Sequence, residues 1–241
     1  MRDLIEADRT DLPVLRANAA DPTQDAKGDT SDMLGITLRG LGIFEYALYK
    51  DEAALRSRLT ESVTIAISLF DRFERGEPID ASYLSMLAYK DLYDALALGD
   101  MHLARSLAQK MGGRKEIERQ HNHPFDRAMG YALRAFVLRD REEMKVRTEA
   151  FRERCEKRGG KYFRGYASVF EAILEGDSRK ANAGFVELLK GHRRMSTGNG
   201  VFRFTPDADL CVWGLGLANL ARHHGLDIKI SDPLIPSELL V

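Results

Sequence analysis

The chain has 241 residues, 44% hydrophobic and 30% charged, with 36 basic and 37 acidic side chains for a formal charge of −1. That length and mixture suit a globular protein with a real core, in one large domain or two small ones. A balanced charge argues against nucleic acid or an anionic membrane as partner, and two cysteines are too few for a disulfide scaffold.

The first eight residues carry three acids and no apolar run, which is unlike a secretory or transit leader. No stretch approaches eighteen consecutive apolar residues, so no membrane span and a cytoplasmic location are expected. Charge is mildly polarised along the chain. Residues 1–40 hold eight acids against five bases, and residues 139–194 hold fifteen bases against ten acids.

Residues 2–19 read as a helix interrupted near Pro13, because proline removes a donor and crowds the preceding turn. Asn18 to Asp32 reads as a loop, with Ser31 or Asp32 capping the next helix. Asp51 opens a helix that ends at Gly76, and Asp80 opens another carrying Tyr83, Leu84, Leu87, Leu92 and Leu96. Leu103 to Met111 forms the next, stopped by Gly112-Gly113, and Arg114 to Pro124 reads as a polar connection. Further helices are predicted at about 125–139, 141–158, 161–175, 178–191 and 206–224. Asp227 to Ile230 is the one short alternation of strand type.

Three segments share one grammar: LYDALALGD, YALRAFVLRD and VFEAILEGD, ending at Asp100, Asp140 and Asp177. Those aspartates fall 40 and 37 residues apart, and a looser version, FEYALYKD, ends at Asp51. Each is an apolar helix end, a tight break, and an aspartate able to accept from free N–H groups of the next helix. Such a period is the mark of stacked αα-hairpins. The predicted fold is therefore all-α: about 9–10 helices in a tetratricopeptide-like array forming one domain over 1–241. Residues 1–32 are peripheral to it, and residues 205–241 supply a capping helix and tail.

Chemistry-bearing constellations are sparse. The string His121-Asn122-His123 lacks the ββα context of HNH nucleases, and two histidines fall short of the three or four ligands a zinc site requires. No metal or other cofactor is expected. Cys155 lies among Arg152, Arg154, Lys157 and Arg158, a setting that lowers a thiol pKa. His223-His224 and His192-Arg193-Arg194 sit where helices end and complement the negative end of the helix dipole. The latter run also suits a grip on a partner's carboxylate or phosphate. Gly214 and Gly216 lie inside the last helix and favour close packing rather than a nucleotide loop. Gly191 to Phe204 reads as a flexible connection with two phenylalanines tucked under that helix.

Aromatics recur near the first helix of each hairpin, which in a stacked array lines the concave surface. Tyr89, Tyr93, Tyr131, Tyr162 and Tyr166, with Arg193 and Arg194, form the predicted partner-binding set.

The last third carries Trp213, Leu217-Ala218, Leu220-Ala221-Arg222, Gly225-Leu226 and a closing Pro233-Leu234-Ile235-Pro236 with Leu239-Leu240. Over roughly 125–241 this resembles the immunity protein 49 family, helical proteins that protect bacteria from polymorphic toxins. The resemblance implies a helical protein without cofactor that binds and neutralises a cognate toxin. Its matching positions are structural by type and assign no toxin-contacting residue. Two rival readings remain: a tetratricopeptide-like adaptor for a peptide or protein, and a small metal-dependent enzyme using His121, His123 and Asp126.

Overall fold

The computed structural model describes residues 2–241. Among them eleven α-helices follow in chain order: α1 (Arg2–Ala20), α2 (Asp29–Tyr49), α3 (Glu52–Glu74), α4 (Tyr89–Ala97), α5 (Met101–Lys110), α6 (Lys115–His121), α7 (Pro124–Leu138), α8 (Arg141–Cys155), α9 (Arg164–Glu175), α10 (Ser178–Met195) and α11 (Val212–His223). Short 3₁₀ segments at Ala81–Leu84, Met86–Ala88 and Pro206–Ala208 link some of them. The described residues include no strand. Asp227 to Ile230 is irregular, and one isolated bridge joins Asp232 to Ile235.

The repeated grammar produces one repeated geometry. At the four breaks Lys50, Gly99, Arg139 and Gly176 take left-handed φ values of 55°, 72°, 57° and 69°. The aspartate that follows caps the next helix each time. Asp51, Asp100, Asp140 and Asp177 accept from the backbone N–H groups of Ala54, Leu103, Glu143 and Lys180 at 2.9, 2.9, 3.2 and 2.9 Å. Reversal and capping occur within four residues, so α2–α3, α4–α5, α7–α8 and α9–α10 become tight hairpins.

Three local expectations are corrected. Helix α1 runs unbroken through Pro13, which lies on its solvent face, where the carbonyl that loses its partner meets water. Its other face, with Ile5 and Leu12, packs on Leu34, Leu38 and Leu41 of α2 in a satellite core. Helix α2 is capped from a distance: buried Asp25 accepts from the N–H groups of Thr30 and Ser31, both at 2.9 Å. The polar connection after Gly113 contains a helix of its own, α6. Its buried Glu118 accepts from Arg114 N–H at 3.0 Å and from Tyr131 Oη at 2.8 Å.

The array is not strictly one-dimensional. Helix α11 returns to pack along α4, where a side chain at Gly216 would meet the Tyr93 carbonyl at 2.5 Å. Only glycine permits that approach. Asn219 then donates to the carbonyls of Leu96 and Ala97 at 3.1 and 3.2 Å and accepts from Val241 N–H at 3.1 Å. The last helix and the tail thus lock the centre of the chain rather than only capping its end.

Candidate functional site

A cavity of about 550 Å³ opens between α2, α3, the 3₁₀ segments before α4, the start of α4 and the 201–207 loop. Ile36, Ile65, Leu69 and Leu87 supply apolar wall, and Trp213, the chain's single tryptophan, closes one side. Tyr93 stacks on Trp213 with ring centres 5.6 Å apart, and Tyr89 and Phe202 make T-shaped contacts with it at 5.3 and 5.2 Å. Those aromatics hold the indole rigidly.

An ionic bridge builds the polar side. Arg39 donates from Nε to Asp94 Oδ2 at 2.7 Å, and its terminal nitrogens grip Asp207 at 2.8 and 2.7 Å. Helix α2 is thereby tied both to α4 and to a segment 168 residues further along the chain. Asp207 is itself placed by its carbonyl, which accepts from His192 Nε2 at 2.8 Å. His192 stacks on Phe202 at 4.5 Å, and burial holds its pKa below the usual histidine value, favouring the neutral ring.

The carboxylates here are perturbed upward. Burial first, then Asp94, raises Asp91 to about 7, with Arg39 opposing. Burial raises Asp94 to about 6, again against Arg39, so Asp94 remains largely ionised at neutral pH and able to hold the bridge. Asp32, across on α2, is also raised by burial and by Asp29. Asp91 lines the cavity, and among the described residues no other side chain pairs with it. Asp94 Oδ1 and the Trp213 indole nitrogen are buried without hydrogen-bond partners. Perturbed acids and unmatched polar atoms beside one cavity are the physical signature of a binding site.

The rim is apolar and exposed. Ile36 and Val201 line the mouth, and Phe204, in the same loop as Val201, is 87% exposed. Phe204 also has φ +64°, a left-handed conformation that costs a bulky residue on the order of 1 kcal/mol. The guanidinium of Arg203 lies 4.1 Å from its ring.

The tyrosines predicted for a concave binding surface are mostly elsewhere. Tyr89, Tyr93 and Tyr166 are buried in the core and offer no area to a partner. Helical periodicity gave them the right spacing, but α11 covers the face they occupy. Tyr131 is half-buried; it donates to Glu118, accepts from Gly113 N–H at 3.2 Å, and lies under Arg147. Tyr162 is partly exposed beside Lys161 and Arg194, which hold its pKa below the usual phenol value. Arg193 pairs with Asp232 of the tail at 2.6 Å, and Arg194 is exposed. Tyr162 and Arg194 are brought together; the set as a whole is not.

Other expectations resolve into structure. Cys155 and Cys211 are buried, and burial pushes both thiols up to about 12, opposite to what the arginines near Cys155 suggest. Asn122 accepts from Met86 N–H at 2.9 Å, and His123 Nδ1 accepts from Phe125 N–H at 3.2 Å to cap α7. Asp126 accepts from Tyr89 Oη at 3.1 Å. No group of three or more metal-ligating side chains is assembled among the described residues. Of the two phenylalanines in the 191–204 segment, Phe202 is tucked under α11 and Phe204 is not.

No helix among the described residues is long and apolar enough to cross a membrane. No protein-family model, curated protein or solved structure matches this chain.

Proposed function

We propose that this chain is an immunity protein that binds a cognate polymorphic toxin, and that the cavity face does the binding. The observation that carries the surface assignment is the exposed apolar pair Ile36 and Val201 at the mouth of a cavity with an ionic side, with exposed Phe204 in the same loop as Val201. Hot spots at protein interfaces cluster in well-packed, desolvated pockets and are rich in large side chains that a partner covers. A left-handed, solvent-exposed phenylalanine has no packing reason to be there and gains one when a partner covers it. The toxin assignment rests on the resemblance of the last third of the chain, and the fold asks for no cofactor to do this work.

The test is a co-expression rescue. The product of the adjacent upstream gene is expressed in a bacterium with and without this protein, and survivors are counted. Rescue together with a stoichiometric complex supports immunity, and Phe204→Asp combined with Ile36→Asp is expected to abolish both while leaving the circular dichroism spectrum unchanged. A harmless neighbour, or equal killing in both strains, transfers the same surface to the tetratricopeptide-like adaptor reading.

A further inference from the structure

We propose that the cavity is a receptor for a lysine or arginine side chain of the toxin, with the cation at Asp91 and the methylene stem against Ile36, Ile65 and Leu87. The assignment rests on the proposed immunity function and adds the chemistry of the occupant.

Charge decides the class of ligand. Asp32, Asp91 and Asp207 line the cavity against Arg39 and Lys90, with Asp94 immediately behind. Arg39 is already engaged by two carboxylates, its Nε holding Asp94 and its two terminal nitrogens holding Asp207. Lys90 is solvent-exposed at the edge. Asp91 is therefore the carboxylate left without a side-chain partner, half-buried in an apolar-walled space, and leaving such a group partly desolvated is costly. An anionic ligand would add to that cost, and a neutral one would leave it in place. A cation on an apolar stem relieves it, and the long methylene chains of lysine and arginine match walls of this kind.

Trp213 supplies the second observation. Its indole lines the cavity, the residue is only 8% exposed, and Nε1 has no acceptor. An indole in the wall of a cavity attracts a cation rather than an anion. The exposed rim favours a macromolecular carrier over a free amine, because Ile36, Val201 and Phe204 are covered only by something larger than the cavity's contents.

The chain's single tryptophan makes the test direct. The full-length protein is titrated with n-butylguanidinium and n-pentylammonium, with 1-pentanol and hexanoate as neutral and anionic controls. Trp213 fluorescence and its indole ¹H–¹⁵N peak are the readouts. Saturable shifts with both cations, absent with the controls and weakened at least tenfold by Asp91→Asn, are expected. Equal responses to pentanol, or unchanged cation binding in Asp91→Asn, would overturn the site. Asp91→Glu, which keeps the charge, is expected to retain part of the cation affinity and so separates recognition from misfolding. In a second arm, toxin binding to Asp91→Asn is measured; an unchanged Kd removes the toxin side chain from the cavity. If the native chain captures no toxin yet the cations still saturate Trp213, the immunity reading fails. The cavity is then a site for a free organic cation.

Discussion

The two halves of this molecule treat their polar groups differently. From α7 to α10 the hairpins are closed by left-handed breaks and capping aspartates, and their charges sit on solvated faces such as Arg147–Glu143 and Arg152–Glu149. The face built by α2, α4 and the 201–207 loop buries its charges instead. It holds Arg39 between two aspartates, an unpaired Asp91, and an exposed phenylalanine in a strained backbone. Of the five buried side-chain polar atoms without partners among the described residues, those of Asp94, His192 and Trp213 belong to this face or lie immediately behind it. The first arrangement is what stability alone selects. The second costs stability, and the proposed binding function supplies a reason to keep it.

The largest way to break the comparison is through the core both regions share. Leu96 is fully buried in α4, between the hairpins and α11. Leu96→Asp places a charge there and is expected to cost more than about 4 kcal/mol, so that the protein is recovered unfolded or insoluble. A variant with unchanged thermal stability would show that α4 is not central.

Next in size is the ionic bridge. Arg39→Ala leaves Asp94 and Asp207 facing one another without a cation, at an expected cost of about 3–5 kcal/mol in denaturant unfolding. Adding Asp94→Asn to it is expected to recover part of that loss, because it removes a stranded charge. If the double variant is less stable than the single one, the bridge does not behave as a compensated charge cluster.

The hairpin side responds more gently. Asp140→Ala removes one cap from α8, worth about 1 kcal/mol. In a chain of this size that lowers Tm by about 2–4 °C. Asp177→Ala should match it, since both breaks share one geometry. Very different values would mean the repeats are not equivalent.

This contrast also explains what could be read from sequence. The breaks were legible because their chemistry is local: a helix end, a left-handed residue and an aspartate three positions before its donor. The cavity was not, because Arg39, Asp91 and Asp207 come from three distant parts of the chain. A weaker signal was present. Asp91 and Asp94 fall among Tyr89, Leu92, Tyr93, Ala95 and Leu96, all buried, and Arg39 sits between Leu38 and Leu41, both fully buried. A charge on an apolar stripe requires a partner. The tyrosines misled for the opposite reason. Amphipathic spacing marks a packed face, and only the position of α11 decides whether that face is a groove or a core.

The most specific expected effect is a dependence on pH. Asp91 titrates at about 7 in the folded protein, well above the ordinary aspartate value of about 3.9. Between those values the folded state holds more protons than the unfolded state, so the native chain loses stability as pH rises through that window. Asp91→Asn has no carboxyl to ionise. Relative to the native protein it should be nearly neutral at pH 4 and more stable at pH 8, by several degrees in Tm. Asp94 on the same helix, Arg39 and Asp32 on α2, and neighbouring Lys90 and Asp207 remain in both proteins, so the difference curve reports Asp91 together with its coupling to Asp94. A difference independent of pH would mean that Asp91 is not desolvated. Adding n-butylguanidinium should then raise the Tm of the native chain more at pH 8 than at pH 5 and leave Asp91→Asn unmoved, because the cation binds the ionised carboxylate that folding disfavours.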